Sequence, residues 1–249
     1  MTRNTKNNFT LLNASTAASA GGWTGEESRI RSFYGGRDAR VVSSWSEPAF
    51  LFTIQERERH VLALLRDCGY ASLTNAKLLE VGCGKGFWLN EFVKWGMRPE
   101  NVAGVDLLAE RVADARRVCP PAARIERANG AGLPFDDGSF DLVLQSMAFS
   151  SILSRDLRQQ VAGEMARVAK AGGLIVWYDF HVHPRSADVE AIRKREIHRL
   201  FPGCRVRLRR ITLAPPLVRL IAPYSRLACD LLGRIPWLCS HYLGAIRKE

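Results

Sequence analysis

Residues 78–92 read LLEVGCGKGFWLNEF, and this stretch decides the fold. Leu78, Leu79 and Val81 form a short apolar run of the kind that makes a buried strand. Gly82, Gly84 and Gly86 follow at once, and beyond them apolar residues recur at helical spacing. The pattern is strand, tight glycine turn, helix. Glycine lets the backbone turn sharply and approach a ligand closely, and the first turn of the helix leaves N–H groups without intrahelical partners. A dinucleotide-binding turn, G-x-G-x-x-G, would place its third glycine at position 87, where Phe87 stands. Here the third glycine is Gly86, so the turn is G-x-G-x-G preceded by the acid Glu80.

Further segments follow downstream. Asn101–Leu107 (NVAGVDL) reads as a second buried strand ending in Asp106, where nucleoside-binding folds grip the two ribose hydroxyls with an acid. The spacing from the glycines somewhat exceeds the roughly 20 residues of dinucleotide folds, and Trp95–Glu100 supplies the extra loop. Leu133–Ser146 (LPFDDGSFDLVLQS) and Glu164–Val176 (EMARVAKAGGLIV) come next. In this order the segments resemble the class I S-adenosylmethionine-dependent methyltransferases, in their small-molecule, type 11-like branch. The resemblance covers Lys77–Asp179, and more loosely the chain from about Ser28.

That resemblance implies a Rossmann-like, doubly wound α/β fold. Its seven-stranded sheet is mostly parallel, with the last strand antiparallel. The implied cofactor is S-adenosyl-L-methionine. Carried onto this sequence, the cofactor-binding residues are Glu80, Gly82, Cys83, Gly84, Gly86, Trp88, Asp106, Leu107, Asn129, Gly130, Ala131, Gln145 and Ser146. Asn129 stands where an acid is commoner, and its amide suits the exocyclic amine and a ring nitrogen of adenine. The N-terminal segment packs over cofactor and substrate in such enzymes, which makes Tyr34, Arg37 and Trp45 candidates for acceptor binding or for packing between helices. Phe149, just past strand 4, and Tyr224 complete the substrate-binding candidates.

With 249 residues, the chain is one good-sized domain bearing a lid. Residues 1–27 are expected as a disordered polar tail, 28–75 as an N-terminal helical cover and 76–249 as the methyltransferase domain. No apolar run reaches the 18 or so residues of a membrane span, no signal-peptide core is present, and a cytoplasmic location is expected. The six cysteines include no C-x-x-C pair, which favours reduced thiols over a zinc site. The net charge of +11 is uneven: between Arg193 and Arg210 eight basic residues face Glu196 alone. That stretch is either a solvated face or a surface for an anion, nucleic acid or anionic membrane.

Thr53–Gly69 reads as a helix capped by Thr53, Leu108–Cys119 as another, and Ser154–Lys170 as a third, turning at Ala171-Gly172-Gly173 into strand 5, Leu174–Phe180. Asp141, at the start of strand 4, is expected to be structural. Ser186–Leu200 reads as a basic helix and Cys204–Leu213 as a half-buried strand, with Ser240–Arg247 its antiparallel partner. Between those strands, residues 214–239 are far longer than the 2–5 residues of a hairpin loop. Leu217, Leu220, Ile221, Tyr224, Leu227, Leu231 and Leu232 form a stripe broken by Pro223 and Pro236, either core or a lid over an apolar acceptor pocket.

Methyl transfer from a sulfonium is a direct displacement, so the protein supplies positioning and, for a hydroxyl acceptor, a base. The candidates by position are Asp179, His181 and His183, after strand 5. His181-x-His183 has no evident third metal ligand, so no metal is expected. Gln145-Ser146-Met147-Ala148 replaces the Asn-Pro-Pro-Tyr of DNA amino-methylating enzymes, and no Pro-Cys nucleophile exists. A small-molecule, sugar- or lipid-type acceptor, including an amphipathic or anionic one, is therefore the expected partner, and nucleic acid is not. The alternatives are an RNA methyltransferase and a non-catalytic adenosylmethionine- or nucleic-acid-binding module using residues 193–210.

Overall fold

The computed structural model describes residues 25–34, 46–182 and 187–249. Arg37, Trp45, His183 and residues 1–24 of the expected tail lie outside the described residues. Residues 25–27 belong to a helix, α1 (25–34). There follow α2 (Pro48–Asp67), β1 (Leu78–Val81), α3 (Phe87–Lys94), β2 (Val102–Asp106), α4 (Ala109–Val118) and β3 (Arg124–Arg127). Then come β4 (Phe140–Ser146), α5 (Arg155–Val168), β5 (Ala169–Phe180), α6 (Lys194–Leu200), β6 (Cys204–Leu213), α7 (Pro215–Ile221), α8 (Arg226–Leu232) and β7 (Cys239–Lys248).

The strands form one sheet in the order β3-β2-β1-β4-β5-β7-β6. All neighbours from β3 to β5 are parallel, and β7 is antiparallel to both β5 and β6. This is the seven-stranded Rossmann-like arrangement expected. Alternation along the buried strands feeds two layers. Leu79, Val143, Ile175 and Trp177 point into one core with Leu157, Val161, Met165 and Val168 of α5. Leu78, Leu142, Leu144, Val176 and Tyr178 point into the other, with Val61 and Leu65 of α2, Leu89 and Phe92 of α3, and Val112 of α4.

Local expectations needed correction at several points. Thr53 caps nothing: α2 begins at Pro48, whose missing N–H costs nothing in the first helical turn, and Thr53 Oγ1 donates to Ala49 O at 2.9 Å inside the helix. Ser154 does cap α5, accepting from Leu157 N at 3.4 Å. The Gly172-Gly173 pair is a kink within β5 rather than a turn before it; Gly172 has φ 71° and the β4–β5 register shifts between Phe140 and Leu142. Of the basic helix expected over 186–200, Ser186 lies outside the described residues and 187–193 are not helical; the helix is α6, and Ile192 N instead donates to Phe180 O at 2.9 Å. Asp141 is structural: its carboxylate accepts from Lys77 N at 2.9 Å and pairs with Lys170 Nζ at 2.8 Å.

The insertion packs on α2. Val218, Ala222 and Cys229 share a small core with Ala49 and Phe52 of α2 and Leu213 of β6. At that junction Glu56 is buried, its Oε1 accepting from Leu213 N at 3.3 Å while its Oε2 has no partner. Burial disfavours the carboxylate and lifts its pKa from 4.5 to about 7. The folded state thus holds a proton that the unfolded chain releases near pH 4.5, so this site's contribution to stability falls as pH rises from 4.5 through 7. Glu56→Gln cannot titrate. Its melting temperature relative to the parent protein should climb across that window and level off above it, by up to about 3 kcal/mol in stability terms. A pH-independent difference between the two thermal curves would refute this.

Candidate active site

A cleft of about 330 Å³ opens at the carboxyl ends of β1, β2 and β4, where an open α/β sheet places its ligands. The glycine turn forms its floor. Gly82, Gly84 and Gly86 have φ of 78°, 54° and 82°, in the left-handed region. Two of them are also pinned sterically. A Cβ on Gly82 would lie 2.8 Å from Ala148 Cβ, and one on Gly86 would lie 2.5 Å from Cys119 Sγ. A Cβ on Gly84 would meet only Arg111 Nη1, at 3.4 Å, so its missing side chain keeps the cleft open rather than the fold closed.

Two acids line the cleft beside this turn. Asp106 Oδ2 accepts from Gly84 N at 2.8 Å and Oδ1 from Leu108 N at 3.0 Å. The strand-2 acid therefore braces the glycine turn and the start of α4 while facing the cleft. Burial pushes its pKa up, against the opposing pull of the two N–H groups and of Arg111. Glu80 is 2 % exposed and its Oε2 has no partner, so burial, aided by the neighbouring Asp106, holds its pKa well above the ordinary carboxylate range. An unsatisfied buried carboxyl on a cleft wall is costly unless something completes it.

Helices and the segment after β4 supply further walls. From α1, Tyr34 donates to or accepts from Ser151 Oγ at 2.7 Å, and the Arg111 guanidinium lies 3.9 Å from the centre of its ring. From α2, Arg57 stands among the rings of Phe87, Trp88 and Tyr178, at 5.5, 5.7 and 5.5 Å, and its buried Nε has no partner. Met147, the residue after β4, is in a left-handed conformation, φ 62°, its N–H donating to Tyr178 O at 2.8 Å. That turn carries Ser146, Met147 and Ala148 into the cleft.

Of the expected cofactor residues, Glu80, Gly82, Cys83, Gly84, Trp88, Asp106, Leu107, Gly130 and Ser146 line the cleft. Gly86, Asn129, Ala131 and Gln145 lie behind the lining. Asn129 Oδ1 is engaged by Ala131 N at 2.9 Å in a local turn. Gln145 is fully buried, its Nε2 donating to Tyr178 O and its Oε1 accepting from Ala148 N. Both hold the walls' shape. Of the expected acceptor residues Tyr34 is in the cleft. Phe149 is not: it is buried against Trp177, ring centres 4.6 Å apart. Tyr224 stands 88 % exposed on the insertion, which contributes no residue to the cleft lining.

Of the expected bases, Asp179 and His181 do not line the cleft, and His183 lies outside the described residues. Asp179 is fully buried, accepting from Ser150 N at 3.1 Å and Phe180 N at 2.9 Å, and burial raises its pKa to about 6. His181 packs on Tyr242, ring centres 4.6 Å apart, and burial and Arg210 lower its pKa. His241 stacks on Tyr178 and is held neutral, its pKa driven down to about 3 by burial. Among the described residues no group of three His, Cys, Asp or Glu side chains is placed to hold a metal ion. Sequence reasoning missed Arg57 and Arg111 because single arginines on charged helices look like solvated faces. The only signal was their place on the helices flanking the glycine turn.

A family profile described as a methyltransferase domain matches residues 78–173. The chain is 28% identical over 170 residues to a phthiotriol/phenolphthiotriol dimycocerosates methyltransferase of Mycobacterium ulcerans, covering 63% of this chain and 59% of that protein. It is 25% identical over 131 residues to the ubiquinone/menaquinone biosynthesis C-methyltransferase UbiE of Campylobacter jejuni, covering 51% and 54%. The fold is also that of geranyl diphosphate C-methyltransferase from Streptomyces coelicolor, solved with Mg2+, geranyl diphosphate and S-adenosyl-L-homocysteine. That likeness has a TM-score of 0.56 at 18% identity, over 76% of this chain and 77% of the other. The chain spans about half the length of the curated relatives it matches.

Proposed function

We propose that this chain, whose residues 78–173 match a methyltransferase-domain profile, is a class I S-adenosylmethionine-dependent methyltransferase that moves a methyl group to a small apolar or amphipathic acceptor. The residues present fit the cofactor. Asp106 suits the ribose hydroxyls, the left-handed glycine turn admits close approach, and the unpartnered Glu80 Oε2 offers an acceptor to an ammonium. S-adenosylmethionine, when bound, supplies an electrophilic methyl group. Glu80, Gly82, Gly84 and Asp106 hold it; Trp88, Phe87 and Met147 exclude water and present an apolar wall to the acceptor.

The observation that carries the acceptor reading is Arg57, a cation that makes no salt bridge among the described residues, its buried Nε unpartnered, set among three aromatic rings at the cleft wall. Such a site receives the anionic end of an otherwise apolar molecule. The relatives' names, which cite phthiotriol, ubiquinone, menaquinone and geranyl diphosphate, support the same class. A panel of prenyl, quinone and lipid acceptors assayed with methyl-labelled cofactor tests it. Arg57→Ala should raise KM for an anionic acceptor about 10- to 100-fold while leaving cofactor affinity nearly unchanged. A loss confined to cofactor affinity would assign Arg57 to the cofactor's own carboxylate instead.

Positioning, without a base from Asp179 or His181, is the proposed source of rate. His181→Ala should leave turnover within about threefold of the parent enzyme; a general base would cost about 10²–10⁴-fold. A fall of that size at unchanged cofactor affinity would restore the base.

A further inference from the structure

The insertion as a whole has two apolar sides, and Leu217, Ile221 and Leu232 of the stripe pack toward the inner one. Its inner side, Val218, Ala222 and Cys229, is buried on α2. Its outer side is not: Leu220 is 67 % exposed, Tyr224 88 %, Leu227 69 %, Leu231 53 % and Trp237 83 %. Large apolar side chains gathered on one exposed segment mark a binding surface, whereas isolated ones do not. The rim is cationic. Arg219, Arg226 and Arg234 are exposed on the same segment, and among the described residues no salt bridge neutralises them, Arg226 donating only to Gln55 Oε1.

Next to Leu227 and Leu231 lies a groove of about 840 Å³ bordered by Lys194, Arg209, Arg210 and Arg234. The acids facing it are few. Asp230 is paired with Arg59 at 2.6 Å, and Glu56 is buried and turned to Leu213 N. His60, also on the groove, is kept below its ordinary pKa by burial and Arg209. An aromatic and leucine face ringed by arginines is the composition of a segment that lies in a membrane interface, its apolar side chains among acyl chains and its cations at anionic headgroups. A second copy of the chain is the weaker occupant, because a two-fold contact through this face would bring the arginine rims together.

We infer that the outer face of residues 215–238 docks on an anionic lipid bilayer, with headgroups received by the basic groove. The placement serves the cleft. β5 and β6 are both antiparallel to β7 and so run the same way, and the insertion leaves β6 at the carboxyl edge where the cleft opens. An acceptor dissolved in the bilayer then meets the enzyme on its working side. The inference stands on surface chemistry alone, and holds whatever acceptor the cleft takes.

Vesicle co-sedimentation of the full chain tests it, with phosphatidylcholine alone and with phosphatidylglycerol mixed in. Binding is expected on the mixed vesicles, with weakening as salt rises. The double variant Leu227→Ser/Trp237→Ser and the triple variant Arg219→Glu/Arg226→Glu/Arg234→Glu should each lower partitioning at least about tenfold. All these side chains are exposed, so thermal melting should not change; binding of S-adenosylhomocysteine, measured alongside, reports on the cleft separately. No binding to the mixed vesicles overturns the inference, as does equal binding by the folded variants. A dimer that Leu227→Ser/Trp237→Ser dissociates overturns it too, since the face then belongs to a second copy.

Discussion

Asp106→Ala is expected to lower affinity for S-adenosylhomocysteine by more than about 10²-fold, because charged acceptors at such sites are worth about 1.5–3 kcal/mol per hydrogen bond. The carboxylate has two duties that are lost together. It faces the cleft, where the ribose hydroxyls must be met, and it accepts from Gly84 N and Leu108 N, which fixes the glycine turn against the start of α4. Alanine leaves both amides without that acceptor, so a stability loss of about 1–3 kcal/mol should accompany the binding loss. Asp106→Asn separates the duties. Its Oδ1 can keep one backbone bond, so it should recover much of the stability and little of the affinity. Thermal melting and calorimetry on both variants decide this; an Asp106→Ala protein that binds like the parent removes the residue from the site.

Gly84→Asp should abolish cofactor binding while leaving the fold nearly intact. The φ of 54° is one that aspartate tolerates, and the new Cβ would meet only the flexible end of Arg111, at 3.4 Å. The added side chain occupies the cleft and sets a third carboxyl group beside Glu80 and Asp106. Gly86 gives the contrast. A Cβ there would stand 2.5 Å from Cys119 Sγ in a buried contact, so Gly86→Val should lower the melting temperature as well. If Gly84→Asp unfolds the protein and Gly86→Val does not, the roles assigned to the two glycines are reversed.

What was legible in the sequence was set by periodicity and by backbone chemistry. The buried strands announce themselves as short apolar runs, and a turn with three glycines at positive φ is required by the backbone itself. Asp106 was legible because an acid ending a buried strand has few reasons to be there. Side-chain direction was harder. Phe149 follows β4 as a cleft residue should, but the left-handed turn at Met147 sends Met147 and Ala148 into the cleft and Phe149 into the core. Asn129 and Gln145 are of the right chemical type, yet their amides are taken by local backbone.

The insertion shows a different limit. A stripe at three- and four-residue spacing says that one side of a helix is apolar; it does not say how wide the covered part is. Here Val218, Ala222 and Cys229, with Leu217, Ile221 and Leu232 packed against them, seat α7 and α8 on α2, and Leu220, Leu227 and Leu231 are left over. Arg57 illustrates the converse. Within the charged run Glu56-Arg57-Glu58-Arg59 it resembles its neighbours, and only the packing of α2 over α3 turns it among aromatic rings.

The central claim is that the cleft at the glycine turn is built for an adenosyl sulfonium and not for a dinucleotide. Isothermal titration calorimetry of the full chain with S-adenosylmethionine, S-adenosylhomocysteine and NAD tests it most directly. The structure predicts one-to-one binding of both adenosyl compounds in the micromolar range, lost in Gly84→Asp, and no heat from NAD. Tight NAD binding with no response to either adenosyl compound would contradict it.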